Sequence, residues 1–370
     1  MKRTFFNLIL IGCCQAASAQ LVEFAPTGDT DQAKVTLEGY IDAYFAFDGA
    51  QPSDANRSYF VSQSRHNEFN INMAYISLKF SSERVRATFT PGFGTYMNAN
   101  YAAERMTLKN IIEANVGVRL LKHKDIWLDA GVLPSPYTNE TAISFDQLTY
   151  SRSFAPEYVP YYLSGARLTL PLSAKINLYL YLLNGWQTIE DSNTPLAFGS
   201  QLEYKPGNKL SLYLNTYYGN EHSAAAPANR ERYFIDGYAL YNPTSRLNLS
   251  FSAYAGNQVR KDDGRDNRSD NLWWQVNAAA RYIFAPRQSF SARVEYFSDP
   301  KEVMIVPVTG VKGFDAASGS LGYNLSVTRN VLFRLEGRYF LSSREVFGSP
   351  GDGPGKKDNY LLISGLTVKF

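Results

Sequence analysis

The sequence predicts an all-β protein: a transmembrane, antiparallel, up-and-down β-barrel of about 16 strands, with short periplasmic turns and long outer loops. Three observations predict it. The chain ends on an alternating stretch in which Tyr360, Leu362, Ser364, Leu366, Val368 and Phe370 share one face. A period of two marks a strand, and one that runs to an aromatic last residue suits a sheet that must close on itself, not a fraying terminus. From Val35 onward, alternating segments recur at the length a tilted membrane-crossing strand requires. The connections between them alternate short and long, as in bacterial outer-membrane barrels; a soluble sandwich or propeller, the competing fold, needs no such alternation.

The N-terminus points to export. Lys2 and Arg3 precede an apolar run, Phe5 to Gly12, that is too short to cross a bilayer. Ala17-Ser18-Ala19 then forms a cleavage site, so residues 1–19 read as a signal peptide cut before Gln20. Leu10-Ile11-Gly12-Cys13 also fits a lipoprotein box with a lipidated Cys13, but the Ala-Ser-Ala site is well formed and a barrel needs no lipid anchor. Cys13 and Cys14 are the only cysteines, so the mature chain would carry neither disulfide nor thiolate chemistry. Residues 20–33 read as a periplasmic linker and 34–370 as one barrel.

Strands are expected near 34–48, 68–81, 83–92, 110–121, 126–134, 162–171, 174–186, 196–205, 209–219, 231–241, 246–258, 272–284, 288–298, 314–327, 331–342 and 359–370. Connections such as Pro206-Gly-Asn208 and Thr328-Arg-Asn330 are short; 49–67, 93–109, 135–161, 187–195, 220–230, 259–271, 299–313 and 343–358 are long. An even strand number puts both ends of the chain on the periplasmic side. Aromatics make up 14% of the residues at a mean hydropathy of −0.28, and no run of about 18 apolar residues follows the signal. Lys2 and Arg3 are two of 37 basic residues set against 34 acidic ones, so the mature chain is near neutral and has no general pull on nucleic acid.

Each strand separates two faces. In 272–284, Trp274, Val276, Ala278, Ala280, Tyr282 and Phe284 lie together, opposite Gln275, Asn277 and Arg281. Ten steps of about 3.3 Å, tilted by about 40°, cover about 25 Å, the height of an apolar band between aromatic girdles. In 110–121, Ile112, Ala114, Val116, Val118 and Leu120 share the apolar face. Arg or Lys on a lipid face costs roughly 2–4 kcal/mol at midplane, so the charged faces must line a lumen. Arg86, Glu113, Arg119, Asp129, Arg167, Arg281, Arg293, Glu295, Arg334, Glu336 and Arg338 are the candidate lining residues. The longest loop, 135–161, is rich in aromatics and carries Glu140, Asp146, Arg152 and Glu157. A long loop able to pack is usually functional; it is expected to fold inward as a constriction, the alternative being a rim cap or a contact with a neighbouring protomer.

At this point the chain resembles the OmpL-like β-barrel porins of Gram-negative outer membranes. The resemblance lies in Gly39-Tyr-Ile-Asp-Ala-Tyr-Phe45, Asn67-Glu-Phe-Asn-Ile-Asn-Met-Ala-Tyr-Ile-Ser-Leu78, Ile112-Glu-Ala-Asn115, Asp129-Ala-Gly131, Tyr150-Ser-Arg-Ser153, Pro160-Tyr-Tyr162 with Ser164-Gly165, and Asn184-Gly-Trp186. It is densest over 39–205. The chain departs from the pattern at Leu133-Pro-Ser-Pro-Tyr-Thr-Asn-Glu140, where members often carry a Gly-rich segment. The resemblance implies a passive outer-membrane porin, with the terminal aromatic strand as signal to the barrel-assembly machinery. Outer-membrane lipid, lipopolysaccharide and small hydrophilic solutes are the expected partners, and a homotrimer is admitted.

No catalytic constellation competes. His66, His123 and His222 fall in loops or turns and read as solvated surface residues; no nucleophile–base pair, phosphate loop or zinc motif occurs. No cofactor and no metal site is expected. The run Arg260-Lys-Asp-Asp-Gly-Arg-Asp-Asn-Arg-Ser-Asp270 lacks the spacing of a calcium loop and reads as a solvated outer loop, with calcium bridging to lipopolysaccharide as an alternative. Val303-Met-Ile-Val-Pro-Val308 is apolar for a loop and reads as a strand extension. The expected activity is passive, weakly selective diffusion of small hydrophilic solutes. The alternatives are a channel specific for an anion or a sugar, for which Tyr179, Tyr181, Tyr213, Tyr217, Phe234 and Tyr238 supply aromatic faces, and an occluded surface-binding or structural barrel.

Overall fold

The computed structural model describes residues 33–191, 195–262, 265–267, 271–349 and 354–370. The expected signal peptide and residues 20–32 of the linker lie outside them. Seventeen strands follow in chain order: β1 Lys34–Asp48, β2 Phe69–Ser81, β3 Val85–Phe93, β4 Ile111–Leu121, β5 Lys124–Pro134, β6 Tyr162–Ser173, β7 Ile176–Leu183, β8 Ala197–Gly207, β9 Leu210–Asn220, β10 Asn229–Thr244, β11 Leu247–Asp262, β12 Arg265–Asn267, β13 Leu272–Ala285, β14 Gln288–Asp299, β15 Phe314–Ser326, β16 Val331–Leu341 and β17 Asp358–Lys369. The short β12 pairs only with β11, and β11 also pairs with β13. Among the described residues the wall therefore has 16 antiparallel strands, each bonded to its sequence neighbours.

Closure is direct. β1 pairs with β17 from Tyr40 opposite Lys369 to Asp48 opposite Leu361. Beyond that ladder, the Gly39 N–H donates to the Phe370 carbonyl at 2.6 Å and the Phe370 N–H returns to Gly39 at 2.9 Å. A closed ladder leaves no edge to be satisfied inside hydrocarbon. Side chains alternate as a barrel wall requires: Trp274, Tyr282 and Phe284 are exposed on the outside, whereas Gln275 and Asn277 are buried on the inside.

Several local expectations need correction. A register shift between Thr90 and Pro91, opposite β4, leaves Ile112 packed with an inner cluster of Tyr96, Tyr101 and Met73 and not with the outer apolar face. β7 stops at Leu183, short of the expected 186; Gly185 then takes φ 152° and Trp186 packs inward. Val303–Val308 is no strand extension. Asp299 accepts the N–H groups of Val303, Met304 and Ile305 at 2.7–2.8 Å, which curls the segment and buries Ile305 in the mouth of the barrel. Of the presumed solvated loop 260–270, Arg260–Asp262 and Arg265–Asn267 form the β11–β12 ribbon; residues 263, 264 and 268–270, and the calcium alternative with them, lie outside the described residues. His66 is buried, its Nδ1 accepting the Asp48 N–H at 2.9 Å; only His123 and His222 are exposed.

Candidate functional site in the barrel lumen

Loop 135–161, between β5 and β6, runs inside the barrel and is fastened to inward-facing side chains around more than half the wall. Thr138 donates its N–H to Asp236 on β10 at 2.9 Å, holding φ at 62°, a region that a β-branched residue seldom adopts. Asn139 donates to Ser250 on β11 at 2.5 Å and to Asn277 on β13 at 2.8 Å. Arg281 on β13 donates to the carbonyls of Gln147 and Leu148. Arg293 on β14 pairs with Glu140 at 3.1 Å and donates to Thr149 Oγ1 and the Ser151 carbonyl at 2.7 and 2.6 Å. On β16, Arg334 caps the Thr149 and Gln147 carbonyls at 2.9 and 2.8 Å. Glu336 accepts from the N–H groups of Tyr150 and Ser151, and Arg338 donates to the Arg152 carbonyl at 2.7 Å. The loop then turns into a short helix, Phe154–Glu157, capped by Ser153, whose side chain accepts the Ala155 N–H. Glu295 on β14 accepts the Phe154 N–H at 2.7 Å.

A buried guanidinium or carboxylate is tolerable only with partners for its charge and donors. The wall supplies charges and the loop supplies backbone polar groups, so each satisfies the other. Burial alone would push the Glu140 carboxyl up; Arg293, Arg152 and the Ser153 hydroxyl and N–H together hold it below the usual carboxylate range. Burial dominates at Glu157 and raises it, although the Val61 N–H donates to it at 2.6 Å.

The other loops close over this one. Phe154 packs on Phe60 of the first long loop at 5.1 Å, on Phe297 at 5.9 Å and on Phe314 at 5.6 Å. Tyr59 donates to the Val346 carbonyl. Trp186 sits against Tyr217 and Phe234 at 4.9 and 5.1 Å, with the Arg232 guanidinium 4.8 Å above its ring. These rings belong to one apolar cluster across the mouth that also takes in Tyr44 and Ala46 of β1, Leu163 of β6, Leu183 of β7 and Leu361 of β17.

On the opposite wall the inward residues stay partly open. Asp129 binds Arg86 in a two-pronged pair, at 2.7 and 2.6 Å, and also Arg167 at 3.0 Å; Arg86 lies 4.4 Å over Trp127. Arg119 sits near the turn end, 3.5 Å from Asp125. On the covered side, towards the turn end, Tyr213 of β9 and Tyr238 of β10 stack at 4.4 Å. Between the loop and β2–β4 remains a cavity of about 280 Å³, bordered by Tyr96, Tyr101, Tyr161, Glu113, Glu140 and Asp146 among others.

The candidate residues thus divide. Glu140, Arg152, Arg293, Glu295, Arg334, Glu336 and Arg338 are buried in the loop–wall joint and do not face water. Glu157 and Arg281 join it partly buried. Asp146 is exposed and paired with Lys369 at 2.8 Å. Arg86, Glu113 and Arg167 are the partly open ones, around a buried Asp129. The expectation of a charged wall wet throughout is corrected: the loop covers the β13–β16 charges because they are its ligands. Asp42 was missed. It lies inward on β1, fully buried, and binds Tyr150, Ser144 and Asn72; its place between the inward Tyr40 and Tyr44 was the available signal.

No curated protein matches the chain. Its fold is similar to the outer-membrane channel DcaP of Acinetobacter baumannii (TM-score 0.60, 11% identity, 91% of this chain and 97% of that one). It is also similar to the anion-selective porin of Comamonas acidovorans (0.58, 14%, 91% and 100%) and to a trimer form of OmpT from Vibrio cholerae (0.57, 9%, 91% and 99%). At these identities the likeness speaks for the fold alone. The family "Putative beta-barrel porin-2, OmpL-like" matches residues 34–370, the whole barrel. With a closed 16-strand wall and an inward-facing set of charges, the chain belongs to this OmpL-like family and is an outer-membrane porin.

Proposed function

We propose that this porin passes small hydrophilic solutes by passive diffusion, along the side of the lumen that loop 135–161 leaves free. The observation that carries this reading is the one-sided docking of the loop. Its bonds run to β8, β9, β10, β11, β13, β14, β16, β17 and β1, whereas β3–β6 keep partly open charged side chains, Arg86 and Arg167 among them. A 16-strand barrel is wide enough for water, so a loop packed on more than half of the wall sets the width of what remains. The narrow point is then the space between the loop and β2–β4. The short turns face the periplasm, the long loops face outward, and residues 1–19 are removed as a signal peptide. The likeness to a trimer form supports a homotrimer here too. The chain acts as a channel and not as a catalyst.

The aromatic cluster over the mouth favours a second reading, an occluded barrel or a channel opened by its own solute. Planar-bilayer conductance decides. Open, ohmic steps from the wild-type protein support diffusion. Silence in the wild type, with steps after deletion of residues 140–156, supports the occluded barrel.

A further inference from the structure

We infer that Glu113 is the residue that sets charge preference in this channel, and that it favours small cations. The inference rests on the passage lying between loop 135–161 and β2–β4. The residues bordering that 280 Å³ cavity include Glu113, Glu140 and Asp146 but no Lys, Arg or His. Glu140 is spent on Arg293, and Lys369 neutralises Asp146. Glu113 differs from both. Among the described residues no Lys, Arg or His nitrogen lies within ion-pair distance of it. Lys79 is engaged by Glu38 at 2.7 Å and Arg167 by Asp129 at 3.0 Å, and the neutral Asn115 is its hydrogen-bonding neighbour. One formal negative charge therefore faces the space that the loop leaves open beside β4.

The surroundings strengthen the effect. Tyr96, Tyr101, Tyr161, Met73 and Ile112 border the same space, and low-dielectric walls focus the field of a charge set among them. Tyrosine faces also attract cations, so a solute with an ammonium group on a short carbon stem meets a carboxylate and rings together. Asp129 on β5 offsets one of the two guanidinium groups that bind it, those of Arg86 on β3 and Arg167 on β6, and neither arginine borders the cavity that Glu113 faces. Even at the dielectric of bulk water, a cation passing about 5 Å from Glu113 is favoured roughly fourfold over a neutral solute and roughly sixteenfold over an anion.

The test is the reversal potential of the full-length mature protein in planar bilayers across a potassium chloride gradient near 0.1 M, where screening extends over about 10 Å. The wild type should favour potassium over chloride, Glu113→Gln should lose roughly fivefold of that ratio once screening at this salt is included, and Glu113→Lys should favour chloride. Tetramethylammonium added to the wild type should reduce the potassium current more than an equal concentration of sodium does. A conducting wild type that is anion-selective overturns the assignment of Glu113 alone, as does Glu113→Gln with unchanged reversal potential and normal gel mobility. A wild type with no conductance overturns the passage itself, and the assignment with it.

Discussion

Tyr150 donates its phenolic O–H to Oδ1 of Asp42 at 2.8 Å, tying the middle of the inner loop to the first strand. The other carboxylate oxygen of Asp42 accepts from Asn72 at 2.9 Å and Ser144 at 2.8 Å. Four neutral groups surround this buried acid, with Gln63 the most distant at 3.5 Å. The Tyr150 ring rests where a side chain at Gly365 would begin: a Cβ there would lie 2.0 Å from the ring. Because β1 and β17 are the pair that closes the barrel, the loop is latched across the closing seam.

That latch predicts two graded variants. Tyr150→Phe removes a hydrogen bond to a charged acceptor, worth about 1.5–3 kcal/mol, and should loosen the loop without displacing it. Gly365→Ala forces the ring away and should displace it. Single-channel recordings should show more current noise in the first and a higher mean conductance in the second. Unaltered recordings from Gly365→Ala would show that the loop is held by its other contacts alone.

Deleting residues 140–156 should raise conductance and shift selectivity towards anions. The deletion removes the carbonyls and Glu140 that now occupy the wall guanidinium groups. Arg281, Arg293, Arg334 and Arg338 would then face water, against Asp42, Glu295 and Glu336. Conductance with reversal potential reads both effects; a larger current with unchanged selectivity would mean that the exposed arginines pair with one another's neighbours and stay silent.

The barrel was legible because its signals are local and repeated. Tyr282 and Phe284 outside, Gln275 and Asn277 inside, follow from a period of two that one strand states by itself. The loop–wall joint was not legible in the same way. That Arg293 meets Glu140 depends on a chain reversal through 153 residues, and no spacing encodes it. The inward direction of Arg334 and Arg338 was readable; whether water or a loop would meet them was not, since both satisfy a guanidinium. Ile112 and β7 failed where a register shift and Gly185 interrupt the alternation on which the reading depended.

Acid should release the loop, through Glu140 first. Its carboxyl titrates below the usual carboxylate range in the folded protein, so the stabilisation it contributes is fully present above about pH 4.3 and is lost as pH falls through the depressed value. Glu157 has the opposite sign. Burial raises it, so its charge opposes docking at neutral pH and that opposition fades on acidification. Glu157→Gln should therefore protect the loop from protease at pH 7, whereas Glu140→Gln, which leaves Arg293 less compensated, should expose it, at a cost of up to about 3–5 kcal/mol. Cleavage rates within 140–156 at pH 7 and pH 3 test both signs; protection by Glu140→Gln at pH 7 would contradict the pairing.

Closure itself depends on Gly39 and Phe370. The two residues exchange backbone hydrogen bonds at 2.6 and 2.9 Å, and the Phe370 ring lies 2.4 Å from where a Gly39 Cβ would stand. Only a residue without a side chain lets the terminal aromatic fold over the first strand. Removing Phe370 deletes both hydrogen bonds and the ring, leaving polar backbone on β1 unpaired at the seam, which is costly beside lipid. Gly39→Val keeps the last residue but should push its ring away. Both variants should refold more slowly into detergent and lose the compact migration that unheated barrels show on gels, with the truncation the more severe. A Phe370 truncation that folds and migrates as the wild type does would mean that the Tyr40–Asp48 ladder closes the barrel unaided.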